Sequence, residues 1–277
     1  LPEIDEVEKM CEAVKGIQAV CDLPLQIDTS NPIAMERAVR IYNGKPLINS
    51  VNGKAESMKQ VFPLAKKYGA VVVCLCLDEN GIPETADGRI AVAEKIIKTA
   101  KEYGIEKKDL IVDALTMTIS TDKNNAIETL KAVKYIRETL GVNTVLGVSN
   151  ISFGLPQRDV INTAFFTLAL QSGLSAGIIN PKSSSMMNAY YSYNALAGLD
   201  DNCTEYIESV TEAQQAVQET NVTLHTAIVK GMKDEAGACA KELLKITVPL
   251  DVINNYIIPA LDEVGAGFEQ NKIFLPQ

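Results

Sequence analysis

The sequence predicts an α/β fold, a parallel β/α barrel, followed by a small all-α helical bundle. Three observations predict it. Six short apolar runs end in Asp or Asn, at 25–28, 46–49, 71–78, 110–113, 144–150 and 176–180. Helical stretches separate them and stop at glycines, among them Gly69, Gly104, Gly141 and Gly173. The helix–Gly–strand–polar-loop unit recurs roughly every 30 residues, the size of a βαβ unit. After Pro181 the strands stop and short amphipathic helices take over.

The polar strand ends favour a barrel over an open sheet. Strands of a parallel sheet are buried on both faces and read as apolar. A polar residue at the same end of each strand serves no packing need, and in β/α barrels that end faces the active site. An open doubly wound sheet binds at one switch point and needs few polar strand ends. A closed barrel takes eight strands, so the first two of the eight are expected upstream of Leu1. Asp28, Asn49, Asp78, Asp113, Asn150 and Asn180 then converge on one mouth. Such a cage of amides and carboxylates suits a flat heterocycle rich in hydrogen-bond donors and acceptors.

Each element has a local reason. Residues 6–20 place Val7, Met10, Cys11, Val14 and Ile17 on one helical face. A second helix starts after Ser30-Asn31-Pro32, a cap followed by a first-turn proline, and stops at Asn43-Gly44. Further helices cover about 56–68, 89–103, 124–140, 156–172 and 186–196. Residues 1–200 form the barrel and 201–220 a linker helix. Short helices near 224–231, 234–246, 250–258 and 259–268 make a bundle over 221–277.

Bulk properties exclude several function classes. The net charge of −9 disfavours a phosphate backbone as partner. No apolar run approaches the roughly 20 residues that span a bilayer. Residues 1–6 are acidic and open no signal peptide, so a cytoplasmic location is expected. Six scattered cysteines read as reduced thiols. Cys74 and Cys76 share a face of one strand, but with a single histidine in the chain no metal site is expected.

At the strand ends, Asp28 closes an apolar run and needs a partner if buried. Ser30 and Asn31 cap the next helix. Asn49 and Asn52 stand either in the site or in a turn. Asp113 lies inside an apolar stretch, Leu110-Ile111-Val112-Asp113-Ala114-Leu115, which a solvated surface explains poorly. Asn150 can donate and accept without carrying charge, which suits an atom whose protonation changes during reaction.

These segments resemble a known family, the methyltetrahydrofolate-binding (pterin) domain of cobalamin-dependent methionine synthase and of the methyltetrahydrofolate:corrinoid methyltransferases. The resemblance covers about residues 1–200. It rests on Leu1-Pro2-Glu3-Ile4-Asp5-Glu6, Gln26-Ile27-Asp28-Thr29-Ser30-Asn31, Leu47-Ile48-Asn49-Ser50-Val51-Asn52-Gly53, Gly147-Val148-Ser149-Asn150-Ile151-Ser152-Phe153-Gly154 and Gly177-Ile178-Ile179-Asn180-Pro181. It implies a TIM barrel whose Asp28, Asp113 and Asn49 bind the amino-pyrimidinone edge of the pterin. Asn52 and Asn180 line the same site, and Asn150 meets the ring nitrogen that carries the methyl group.

Residues 224–277 resemble the helical cap of cobalamin-binding modules, most closely at Pro259-Ala260-Leu261-Asp262-Glu263-Val264-Gly265 and Phe268-Glu269-Gln270-Asn271-Lys272-Ile273-Phe274-Leu275-Pro276. The resemblance implies that Phe268 and Leu275 cover the corrin. Cobalamin is then the cofactor, 5-methyltetrahydrofolate the substrate, and the partners a corrinoid-binding domain and a homocysteine-binding domain. The cofactor's Asp-x-His-x-x-Gly loop does not occur here, and His225 matches no such motif and reads as structural or surface. Dihydropteroate synthase shares the pterin barrel but carries a Ser-Arg-Lys-Ser run where this chain has Ser149-Asn150-Ile151-Ser152, so methyl transfer is the favoured activity. Other readings are a methyltransferase of another corrinoid pathway and a folate-binding piece without catalysis.

Overall fold

The computed structural model describes residues 5–210, 223–229 and 231–269, the last four of these by their backbone. The chain divides into two compact units, Leu1–Asn202 and Cys203–Gln277.

In the first unit, six strands form one parallel sheet in sequential order: β1 (Gln26–Asp28), β2 (Leu47–Asn52), β3 (Val71–Leu75), β4 (Leu110–Asp113), β5 (Asn143–Gly147) and β6 (Ala176–Ile178). The sheet curls into a half-barrel with β1 and β6 at its edges. Helices α1 (Glu6–Gln18), α2 (Pro32–Ile41), α3 (Ala55–Tyr68), α4 (Ala86–Glu102), α5 (Asn125–Glu138), α6 (Arg158–Gln171) and α7 (Ser184–Leu196) alternate with the strands and extend past them.

The register explains the two faces. Ile27, Ile48, Val72 and Leu110 pair in one row and are almost wholly buried. They pack with the buried stripes of the helices, such as Met35, Ala38 and Val39 of α2. Rows on the other face carry Asp28, Asn49, Val73 and Ile111, then Asn52, Leu75, Asp113 and Val145. Residues paired across parallel strands share a face. The polar strand ends therefore lie on the inner side of the curl.

Local chemistry sets the helix limits. Asp5 and Asn31 cap α1 and α2 by accepting two backbone N–H groups each, and Pro32 opens α2. Gly69 ends α3 in the left-handed conformation at φ 64°. Helix α4 begins one turn earlier than the sequence pattern suggested, because Thr85 caps it through Gly88.

Several strand ends differ from the sequence reading. Strand β2 runs on to Asn52 through a bulge between Asn49 and Val51. Strand β3 stops at Leu75, and Asp78 lies beyond it in a turn with its Oδ1 accepting from Asn80 N–H. Strand β5 stops at Gly147, and Asn150 sits in a 3₁₀ turn, Val148–Ser152. Strand β6 stops two residues short of Asn180.

Of the linker-helix reading over 201–220, Asp201–Cys203 form a 3₁₀ turn, residues 204–210 are helical, and residues 211–220 lie outside the described residues. In the second unit, helices Leu224–Val229, Lys233–Leu243, Pro249–Val252 and Ile258–Glu269 follow, with a π-helical turn at Ile253–Ile257. Leu224, Ala227, Val252 and Ala260 form the buried centre. Among the described residues no helix is long and apolar enough to cross a membrane.

Candidate functional site

Strands β1 and β2 end side by side, and their polar ends touch. Asn49 Nδ2 donates to Asp28 Oδ2 at 3.2 Å. Asp28 is exposed, so its carboxylate keeps capacity to accept from a ligand. The segment after it is held from α1, where Glu6 accepts the Thr29 hydroxyl and, at 3.4 Å, the Asn31 amide. A cavity of about 470 Å³ opens here, lined by Asp28, Asn49, Asn52, Lys54, Gln60 and Leu75 among others. That volume falls in the range of small-molecule sites.

Asp113 ends β4 one residue-pair further along the same inner face, in register with Leu75. It does not line the cavity. Its Oδ1 accepts the Leu115 N–H at 2.8 Å across a tight turn in which Leu115 holds φ at 62°. Asp113 is 8% exposed. Burial pushes its carboxyl from the ordinary 3.8 up to about 6, against the opposing pull of the Leu115 N–H and the Arg89 charge. A carboxyl poised there changes charge in response to a ligand's donors.

Asn150 is exposed beyond β5, and it too lies outside the cavity lining. A Cβ at Gly147 would stand 3.0 Å from its Nδ2. Glycine therefore lets the Asn150 amide fold back over the strand end. The loop is clamped by Arg158, which donates to Ser149 O at 2.8 Å and Ser152 Oγ at 3.0 Å and lies 4.5 Å over the Phe153 ring. Thr118 and Ser120 hydroxyls reach the Phe153 carbonyl from the β4–α5 loop.

Asn52 and Asn180 spend their side-chain oxygens on backbone. Asn52 Oδ1 accepts Lys54 N–H at 3.0 Å, and Asn180 Oδ1 accepts Lys182 N–H at 3.1 Å. The turn-forming competitor therefore operates at both. Phe268 lies in the helix Ile258–Glu269, and Leu275 lies outside the described residues. His225 Nε2 stands 3.5 Å from Glu263 Oε2. No cluster of metal ligands occurs among the described residues, and burial raises the Cys74 and Cys76 thiols well above their ordinary range.

Sequence reasoning missed Arg89 and Arg158. Arg89 stands three and four residues before Val92 and Ala93, on the buried stripe of α4, which was the available signal.

A family model described as a pterin binding enzyme matches residues 1–180. The chain belongs to the pterin-binding enzyme family. In this pterin-binding chain a second model, a B12 binding domain, matches residues 222–277. A methylcorrinoid:tetrahydrofolate methyltransferase from Eubacterium limosum is 28% identical over 216 residues, 77% of this chain and 79% of that protein. A methionine synthase from Mycobacterium tuberculosis is 26% identical and aligns with 98% of this chain. The chain spans about a quarter of the length of the two mycobacterial methionine synthases it matches. Among solved structures, the dihydropteroate synthases of Vibrio fischeri and Xanthomonas albilineans superpose with TM-scores of 0.56 and 0.57. They cover 69% of this chain, and 74% and 72% of their own, at 19% and 20% identity. At that identity the likeness is one of fold.

Proposed function

We propose that this chain binds 5-methyltetrahydrofolate and passes its methyl group to a corrinoid, as the pterin-binding part of a methionine synthase. The observation that carries the reading is the union, in one chain, of a pterin-binding match and a B12 binding match. Asp28 and Asp113 accept hydrogen bonds from the pterin's ring N–H and amino donors, and Asn49 orients Asp28. Asn150 meets the ring nitrogen that loses the methyl group. A tertiary amine leaves poorly, so that nitrogen must gain a proton as the bond breaks. A neutral amide tolerates both protonation states by turning from donor to acceptor as the nitrogen gains its proton. Asn52 and Asn180 shape the turns around the pterin.

The second unit suits a cobalamin cap. Leu244, Ile246, Val248, Leu250, Ile253 and Leu261 are exposed apolar side chains on a small helical scaffold, the chemistry needed to shield a flat macrocycle from water. Phe268 and Leu275 are the residues proposed to cover it. Cobalamin, when bound in its reduced form, supplies the nucleophile for the methyl group. A homocysteine-binding domain is the proposed partner in the methionine synthase reading.

One observation favours a second reading. The Eubacterium limosum relative, named for a methylcorrinoid and tetrahydrofolate, is matched over most of its length. A methyltransferase serving another corrinoid pathway would use the same pterin site.

The test is a single turnover. The protein is mixed with 5-methyltetrahydrofolate and reduced cobalamin, and released tetrahydrofolate is measured. Release above the protein-free background supports the reading. Binding without release leaves a folate-binding protein, and neither binding nor release contradicts it.

A further inference from the structure

We infer that Arg89 is a positioning residue for the pterin site: it fixes the Leu115 turn and thereby aims and charges Asp113. The inference rests on the pterin reading above. Arg89 is wholly buried. Its Nε donates to Pro83 O at 2.9 Å, and its Nη1 donates to Leu115 O at 3.1 Å and Thr129 Oγ1 at 2.7 Å. One guanidinium thus joins the β3–α4 loop, the β4–α5 loop and helix α5. Burying a charge this deeply is costly unless it is held by hydrogen bonds. Yet Nη2 has no partner among the described residues. A packing role alone would be filled better by Met or Leu.

Leu115 gives the cost a purpose. A branched non-glycine residue at φ 62° is strained and persists only where its surroundings hold it. Its carbonyl is held by Arg89, with Thr129 at 3.4 Å, and its N–H is held by Asp113 Oδ1 at 2.8 Å. Arg89 therefore fixes the carbonyl of the same residue whose N–H fixes Asp113, on the two sides of the strained Leu115 Cα. Asp113 Oδ2 carries no hydrogen-bond partner among the described residues, which leaves it for a ligand donor. The groups facing this cluster are Arg89 from α4, Cys76 beyond β3 and Glu128 from α5. Arg89 is the one cation among them, and it favours the charged form of Asp113 that a pterin's donors require.

The test uses Arg89→Lys, which keeps the charge and loses the planar fork, and Arg89→Met, which keeps the bulk alone. Two readouts are taken: methyltetrahydrofolate affinity against pH, and the titration of Asp113 followed by carbon-13 NMR in the ligand-free protein. Arg89→Met is expected to weaken binding at pH 7 about tenfold, equivalent to about 1.4 kcal/mol, and to move the Asp113 midpoint upward. Arg89→Lys is expected to restore the midpoint more than the affinity. Adding Leu115→Gly, which removes the strain, is expected to recover part of the affinity lost in Arg89→Met. If the Arg89 variants do not fold, Thr129→Val removes one acceptor and decides on the same readouts, with a smaller loss expected in the same direction. Folded variants with unchanged Asp113 titration and unchanged affinity overturn the role. A wild-type protein that binds no methyltetrahydrofolate overturns the pterin reading instead, and the ligand-free titration still decides on Arg89.

Discussion

Asp28 and Asp113 are the same residue type at the same end of two strands of one sheet, β1 and β4, yet they occupy opposite environments. Asp28 is exposed at the sheet edge, opens on a cavity and is met by the Asn49 amide. Asp113 is 8% exposed, bound to its own turn and raised to about 6. The difference teaches that strand position sets which way a carboxylate faces, while depth sets whether it stands open to a ligand or is held in its own turn. A pterin bridging both would be held by one ready acceptor and one that is switched on by contact.

The largest effect is expected away from both carboxylates. Asn150→Ala should slow saturated single-turnover transfer by about 2–4 kcal/mol in barrier, by analogy with removing one preorganised donor. A rate within about threefold of wild type, under roughly 0.7 kcal/mol, would leave Asn150 as a turn residue. Next, Asp28→Ala should weaken methyltetrahydrofolate binding by about 1.5–3 kcal/mol for each charge-assisted bond lost. Calorimetry showing unchanged affinity would remove Asp28 from the site.

Asp113 should show a pH signature of two opposed signs. Its folded carboxyl is raised above the ordinary 3.8 to about 6. The folded state therefore holds the proton more tightly. The resulting stability is full below about 3.8 and is lost as pH rises through about 6, on the order of 3 kcal/mol. Ligand affinity should run the other way, rising with pH until about 6 as the carboxylate forms. Asp113→Asn should flatten the stability profile in urea melts at pH 4 and 7. A wild-type profile already flat across that interval would mean that Asp113 titrates normally. The smallest effect concerns Gly147. Gly147→Ala crowds the Asn150 amide at 3.0 Å and should slow transfer about fivefold, near 1 kcal/mol, with little change in affinity. A loss in affinity alone would show that Gly147 serves the strand rather than Asn150.

Much of this was legible in the residues, for physical reasons. Apolar runs ending in Asp or Asn, separated by helices that stop at glycines, located all six strands, and Asp113 closes β4 where the apolar run closes. The face of each polar end followed from register. Depth was legible at Asp113, which lies inside an apolar stretch, but not at Asp28, because an apolar run reads alike at an edge and at the centre of a sheet. The chain after the strands was also hidden. The bulge carries β2 on to Asn52, and the 3₁₀ turn takes Asn150 off the end of β5. Both are local backbone choices that short polar residues permit and periodicity does not register. Arg89 escaped because a charged letter at a helix start reads as surface, although its spacing to Val92 and Ala93 placed it inside.

The most direct test of the two-carboxylate site is calorimetry of methyltetrahydrofolate binding at pH 6 in two buffers of different ionisation enthalpy. The account predicts release of about half a proton for wild type, the same for Asp28→Asn at weaker affinity, and none for Asp113→Asn. Binding heats that do not depend on the buffer, or no binding at all, would contradict it.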